Sequence, residues 1–229
     1  MISRRYVLYY SHNALPIEME EYFQRQLLEA TRSIPLVSVM KKARSEWSRT
    51  FANENVLTDF QPNNWSSILH QISLGIDFIL QTGDAVVYLA EHDVLYPPSY
   101  FANVPEQREI LLKNKQLYFM NRTGYIGPYN HYIHSQTIGW ASLFKHCLLE
   151  DVHPDLKFKS KNGYELRLYD NEEPSVDVRH SFNYTGYREA SSPEKYRQHL
   201  PHWGEHATLA AQIPGFLRDG NGNRTTYFV

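Results

Sequence analysis

Short apolar runs alternate with amphipathic stretches in the first part of the chain. Residues 6–10 are apolar and β-prone and are followed by polar Ser11-His12-Asn13, which predicts a buried strand. Pro16 and the glutamates behind it are typical of the first turn of a helix. Residues 36–40 form a second apolar run. A strand, helix and strand in this order predict a parallel α/β sheet.

The same pattern returns after a long polar segment. Residues 41–64 have no apolar period and predict a loop with at most one short helix. Apolar residues at helical spacing over 68–80 predict an amphipathic helix. Residues 85–90 are apolar on both faces, which indicates a central strand. This strand leads directly into Glu91-His92-Asp93, at the carboxyl end, where open α/β sheets bind ligands.

The second half of the chain mixes helices and strands. Residues 117–120 and 129–133 predict antiparallel strands, 138–149 a helix and 164–169 a strand with alternating polarity. The remainder is rich in loops. We therefore expect an α/β protein with a loop-rich C-terminal part.

Composition narrows the class of protein. A length of 229 residues fits one domain, and a formal net charge of -2 gives no global field to attract nucleic acid or a membrane. The single cysteine, Cys147, suits a reducing compartment. No segment approaches the roughly 20 apolar residues of a membrane-spanning helix. These features predict a cytoplasmic protein.

Glu91-His92-Asp93 is the first candidate for chemistry. Side chains alternate along a strand, so two carboxylates that flank one residue at a strand end point the same way. They can hold a hard divalent cation through oxygen, with a diphosphate in other coordination positions.

The order of elements, together with Val-Val-Tyr-Leu-Ala-Glu-His-Asp (86–93) and the Tyr-Pro that follows, resembles GT-A glycosyltransferases of the family 2 type. The resemblance implies a Rossmann-like, mixed but mainly parallel sheet flanked by helices. It implies Mn²⁺ or Mg²⁺ on Glu91 and Asp93, with His92 beside the donor. Residues 1–115 would bind the nucleotide sugar, a UDP-sugar being favoured, and 116–229 the acceptor, in one domain. The implied reaction moves a sugar to an acceptor hydroxyl.

A second polar segment, 177–188, contains a carboxylate, an imidazole, an amide and two guanidinium groups. Imidazole is a good ligand for a transition metal, and arginine matches the geometry of phosphate. The segment is similar to a downstream motif of some GT-A enzymes. By that resemblance His180 is the third metal ligand, and Arg179 or Arg188 contacts the diphosphate.

A third segment, 202–206, reads His-Trp-Gly-Glu-His. It is similar to the acceptor-side motif of inverting GT-A enzymes, which implies that Glu205 is the general base, with Asp177 in reserve. The predicted acceptor-binding residues are Trp203, Asn183 and Tyr184. GT-A enzymes bind the nucleotide base after the first strand, which here corresponds to Tyr10, Ser11, His12 and Asn13.

Other readings of the sequence stay open. One is a non-catalytic sugar-nucleotide-binding module with the same fold. Another is a nucleotidyltransferase, which shares the nucleotide-binding half and the metal but normally carries a Gly-rich signature near the N-terminus, where this chain has residues 11–13. The acceptor is a glycan, a small molecule or a hydroxymethylated DNA base. None of the histidines shows the spacing of a zinc enzyme.

Overall fold

The structure is a computed structural model that describes residues 4–13, 15–43, 45–58, 65–120, 126–128, 136–150, 164–179 and 199–216. The strands are β1 (Arg5–Ser11), β2 (Leu36–Met40), β3 (Glu54–Leu57), β4 (Val86–Glu91), β5 (Val94–Leu95), β6 (Ile110–Asn114), β7 (Leu117–Met120), β8 (Ile126–Pro128), β9 (Thr137–Trp140), β10 (Glu165–Tyr169), β11 (Ser175–Val178), β12 (His199–Leu200) and β13 (Gly204–Glu205). The α-helices are α1 (Ile17–Thr31), α2 (Glu46–Thr50), α3 (Trp65–Gln81), α4 (Ala141–Glu150) and α5 (His206–Gln212), and a 3₁₀ helix spans Pro98–Ala102.

A seven-stranded sheet forms the centre of the molecule. Its order is β10-β6-β9-β4-β1-β2-β3, and every pairing between neighbours is parallel except the two that β9 makes with β4 and β6. The carboxyl ends of the other six strands therefore meet at one edge of the sheet. The predicted α/β class, with a mixed and mainly parallel sheet flanked by helices, is confirmed.

Helices cover both faces of this sheet. On one face, Leu27 and Ala30 of α1 pack in a core with the side chains of β1, β2 and β4 that point that way. On the other face, Ile72, Ile76 and Ile79 of α3 share a second core with α4. This two-sided burial explains why 85–90 is apolar at every position. No helix in the ranges given above is long and apolar enough to cross a membrane.

A second sheet joins the two halves of the chain. It has the order β5-β11-β7-β8, and β11 is antiparallel to β5 and parallel to β7. Asp177 of β11 lies opposite Val94 of β5. The pairing therefore places residues near position 177 directly beside the turn that follows β4.

Three elements differ from their sequence-based assignments. The segment 41–64, predicted to be a loop with at most one short helix, contains α2, begun by a capping box between Ser45 and Ser48, but also the strand β3, which was not predicted. Strand β3 is a partly exposed edge strand, so its four residues lack an apolar signature. The helix predicted from residue 138 begins at Ala141, because 138–140 pair in β9. The strand predicted at 129–133 lies outside the described residues.

Gly75 lets helix α3 approach strand β1 closely. A methyl group at this position would meet Cδ2 of Leu8, a fully buried side chain, at 2.9 Å. In an open helix, glycine to alanine gains about 1 kcal/mol, whereas overpacking a core costs about 1–3 kcal/mol. We expect Gly75→Ala to lower the free energy of unfolding, measured by urea titration. Ser73→Ala, on a partly buried position of the same helix, is the control. Unchanged or higher stability of Gly75→Ala would contradict close packing at this position.

Candidate functional site

The carboxyl ends of β1 and β4 are neighbours, with Tyr10 paired to Glu91. Strands β2 and β3 continue the sheet on the β1 side, and β9, β6 and β10 continue it on the β4 side. The strand order therefore reverses between β1 and β4. Open α/β sheets bind ligands in the crevice at such a switch point.

A tight turn between β4 and β5 brings three ligand groups together. Glu91 ends β4, His92 and Asp93 form the turn, and Val94 begins β5. One ligand atom from each of Glu91, His92 and Asp93 lies within 4.8 Å of the other two. The sequence argument assumed a strand that continues through Asp93, with His92 pointing away. The turn changes this, because all three side chains converge.

Two tyrosine hydroxyls hold the end of β4. Among the described residues, the pairing of β4 with β9 extends to Tyr88 and Ile138. The backbone N–H of Glu91 donates to the Tyr96 hydroxyl at 2.9 Å. The Tyr100 hydroxyl donates to the carbonyl oxygens of Leu89 and Thr137, each at 3.2 Å. These contacts hold the end of β4 in place at Leu89 and Glu91.

Asp177 and Arg179 lie beside the turn. The backbone N–H of Val178 donates to the carbonyl oxygen of Asp93 at 2.9 Å. Arg179 Nη2 and Asp177 Oδ2 form an ion pair of 2.6 Å, in which both side chains are less than a tenth exposed. Asp177 Oδ1 is buried and has no hydrogen-bond partner among the described residues. Burial raises the pKa of Asp177 to about 7, Arg179 opposes the rise and Asp93 adds to it.

The tip of β1 is held by buried hydrogen bonds. Ser11 Oγ donates to Glu20 Oε1 at 2.9 Å, and Asn13 Nδ2 donates to the same oxygen at 3.2 Å. Gln71 Nε2 donates to the carbonyl oxygen of Ser11 at 2.7 Å. Ser11 is fully buried and Tyr10 nearly so. Of the four residues predicted to bind the nucleotide here, His12 places its ring against His92 in the turn after β4, with 4.5 Å between the ring centroids.

The C-terminal candidates lie elsewhere. Trp203 Nε1 donates to the carbonyl oxygen of Pro174 at 2.6 Å, so this ring anchors the β12–β13 hairpin next to the start of β11. Glu205 is exposed at the N-terminus of α5, and no described contact brings it to Glu91 or Asp93. The roles predicted for Trp203 and Glu205 stay predictions. Four predicted site residues lie outside the described residues: His180, Asn183, Tyr184 and Arg188.

Sequence reasoning missed three polar side chains at this edge of the sheet, namely Tyr96, Tyr100 and Lys113. Lys113 is 2% exposed near the end of β6, opposite Thr137 of β9, and burial lowers its pKa to about 8. Its only sequence signal is a lysine that interrupts an apolar run at 110–114, a strand that was not predicted.

The side chains at the turn fit a divalent cation. Carboxylate oxygens suit hard cations such as Mg²⁺ and Mn²⁺, and imidazole nitrogen suits transition metals. The buried Asp177 Oδ1, which has no partner in the described part of the chain, lies on the strand that pairs with β5. We therefore assign Glu91, His92 and Asp93 as the candidate metal-binding group.

Comparisons with known proteins concern the fold. No protein-family model matches the sequence, and no curated protein matches it. The structure is similar to the bifunctional IspDF from Campylobacter jejuni (11% identity, TM-score 0.46, 75% of this chain and 50% of that one). This chain thus spans half the length of that protein.

Two further solved structures are similar. The nucleoside-diphosphate-sugar pyrophosphorylase from Vibrio cholerae RC9 has 8% identity and a TM-score of 0.43, over 76% of this chain and 92% of that one. The inositol-1-phosphate CTP transferase from T. maritima has 10% identity and a TM-score of 0.49, over 78% of this chain and 90% of that one. At identities this low, the similarity concerns the fold alone.

The predicted glycosyltransferase activity is corrected. The solved structures that resemble this one include a pyrophosphorylase and a CTP transferase, and none of the three is named for glycosyl transfer. The prediction used a motif of two acids after a central strand. Such a motif is typical of sites that bind a cation with a phosphate group, but it does not indicate which bond an enzyme breaks.

Tyr96→Phe tests the support of Glu91. The variant removes the hydroxyl that accepts from the partly buried Glu91 N–H, and loss of such a hydrogen bond costs about 0.5–1.5 kcal/mol. We expect lower thermal stability and weaker Mn²⁺ binding, measured by calorimetric titration. Tyr6→Phe is the control, because the Tyr6 hydroxyl contacts Thr82 at an exposed site. Mn²⁺ binding equal to that of the original protein would contradict the role of Tyr96.

The raised pKa of Asp177 predicts a pH dependence in metal-free protein. An unfolded aspartate has a pKa of about 4, and in the fold the value is about 7. Between these values the folded state binds more protons, so this group's contribution to stability is complete below pH 4 and is lost as the pH rises through 7. Urea titrations with a chelator should show a loss over this range that is smaller in Asp177→Asn. The exposed Asp170→Asn is the control, and identical pH profiles for the three proteins would contradict the shift.

Proposed function

We propose that this protein is a metal-dependent nucleotidyltransferase that binds a nucleoside triphosphate in the crevice between β1 and β4. One observation carries the proposal: Glu91, His92 and Asp93 converge at the switch point beside the buried pair of Asp177 and Arg179. Carboxylates at such a point hold a divalent cation together with phosphate oxygens. A guanidinium group nearby matches the charge and shape of phosphate.

The turn after β1 forms without the Gly-rich signature that a nucleotidyltransferase normally carries there. Asn13 has a φ of 58°, the left-handed conformation for which glycine is usually required. Its side chain stabilises this turn, since Oδ1 accepts from the Lys42 N–H at 3.0 Å and Nδ2 donates to Glu20 at 3.2 Å. Asparagine thus supplies the turn after β1 without glycine.

The reaction is the attack of an acceptor oxygen on the α-phosphorus. The new P–O bond forms as the bond between this phosphorus and the α–β bridging oxygen breaks, and pyrophosphate leaves. A divalent cation held by Glu91, His92 and Asp93 would neutralise phosphate charge. The described side chains position the ligand groups. The hydroxyls of Tyr96 and Tyr100 hold the end of β4 at Glu91 and Leu89, and Arg179 pairs with Asp177 beside the Asp93 turn.

The two halves of the chain divide this task in the proposal. Residues 1–115 contain β1, β4 and the metal-binding turn and would bind the nucleotide. Residues 116–229 contribute Asp177 and Arg179 and would bind the acceptor. With a sugar phosphate as acceptor, the nucleotide sugar that was expected as a donor becomes the product. The cytoplasm remains the proposed compartment, because the chain has a single cysteine.

Asp93→Asn tests the proposal. The variant keeps the shape of the side chain and removes its charge, so product formation should fall by roughly the 10²–10³-fold that loss of one electrostatic group costs. The assay combines each nucleoside triphosphate with a panel of sugar and polyol phosphates and Mn²⁺ or Mg²⁺. Pyrophosphate release and the nucleotidyl product are measured by chromatography and mass spectrometry.

Asp170→Asn is the matched control, because Asp170 is exposed and pairs with Lys115 at the surface. It should keep full activity. If the original protein neither binds nor consumes any nucleoside triphosphate, the proposal is wrong. If the protein binds a nucleoside triphosphate only with metal and forms no product, it is a nucleotide-binding module and not an enzyme.

A further inference from the structure

The turn after β4 places the His92 side chain beside those of Glu91 and Asp93, which a continuing strand would not do. A strand would send Glu91 and Asp93 to one face and His92 to the other. In the turn, a nitrogen of His92 lies within 4.8 Å of an oxygen of Glu91 and of an oxygen of Asp93. The ligand group is therefore a mixture of oxygen and nitrogen rather than oxygen alone.

The His92 ring is also fixed in place. It is 2% exposed, and the His12 ring stands against it edge to face, with 4.5 Å between centroids and an angle of 89° between planes. A ring that is buried and packed in this way loses little further freedom when a nitrogen binds a metal. The tip of β1, which carries His12, is itself held through Ser11 and Asn13.

A second observation points to a cation independently of these three residues. Asp177 Oδ1 is a buried carboxylate oxygen that has no hydrogen-bond partner in the described residues, although Oδ2 of the same group binds Arg179. The adjacent Val178 donates to the Asp93 carbonyl. A buried carboxylate oxygen without a partner is costly, and a cation bound at the neighbouring turn would favour the ionised form of Asp177.

We infer that His92 binds the metal directly, so that the site takes Mn²⁺ or Co²⁺ in preference to Mg²⁺. This inference rests on the proposed metal site and specifies its ligands. Mg²⁺ favours oxygen ligands in octahedral geometry, whereas imidazole suits transition metals, whose affinity for such sites rises from Mn²⁺ to Co²⁺. One nitrogen ligand among carboxylates is therefore expected to raise the affinity for transition metals relative to the affinity for Mg²⁺.

The test uses metal alone, with no nucleotide. The chelator-treated protein is titrated with Mn²⁺, Co²⁺ and Mg²⁺ in a calorimeter, and the Mn²⁺ form is examined by pulsed electron paramagnetic resonance for coupling to a nitrogen nucleus. We expect affinity in the order Co²⁺, Mn²⁺, Mg²⁺, and a nitrogen coupling in the Mn²⁺ spectrum.

His92→Asn assigns the nitrogen. It should abolish the coupling and weaken Mn²⁺ and Co²⁺ by at least about tenfold, since loss even of a group that only orients a ligand costs roughly 10–100-fold. Its affinity for Mg²⁺ should change much less. His199→Asn, at an exposed position on β12, is the control and should retain both coupling and selectivity.

Several results would overturn the inference. They are a preference of the original protein for Mg²⁺, Mn²⁺ that binds without nitrogen coupling, a coupling that survives in His92→Asn, or no binding of Mn²⁺ at millimolar concentration. If His92→Asn fails to fold, the spectrum of the original protein can still overturn the inference, because absent coupling excludes an imidazole ligand. Since no nucleotide is used, the result is independent of whether nucleotidyl transfer is observed.

Discussion

Two tyrosine hydroxyls hold the end of strand β4 beyond its described pairing with β9, and the rest of the site depends on these contacts. Pairing with β9 extends to Tyr88, while pairing with β1 continues to Glu91. A buried backbone group without a partner costs about 1–3 kcal/mol. The hydroxyls of Tyr96 and Tyr100 take over as partners. Glu91 is therefore held from both sides, while the chain beyond it is free to turn.

The turn concentrates negative charge in a buried place. Glu91, Asp93 and Asp177 are three carboxylates, and Arg179 is the cation seen to pair with one of them. When all four groups are ionised, their charges sum to two negative charges. Burial of such charge is unfavourable for folding, so a site of this kind is a candidate for function rather than for stability. A divalent cation would balance the charge.

The sequence predicted what depends on neighbouring residues and missed what depends on distant ones. The run 85–90 marks β4 because a strand buried on both faces is apolar throughout. Strand β3 was missed because an exposed edge needs few apolar residues. The contact of Asp177 with the Asp93 turn arises from the pairing of β11 with β5, across some eighty residues of chain. No local pattern reports such a pairing, and the sequence placed segment 177–188 at the site only through the family resemblance.

The mistaken reaction class has the same origin. A cation, a phosphate group and the end of a central strand are common to several transfer reactions, so the acidic motif identifies the bound group and not the bond that breaks. In the proposed reaction, the bond that breaks is decided by which atom of the nucleotide faces the acceptor. We propose that this arrangement depends on residues far along the chain, such as Asp177 and Arg179, which β11 places beside the turn that contains Asp93. Substitutions on β11 therefore carry more information about the reaction than substitutions in the motif itself.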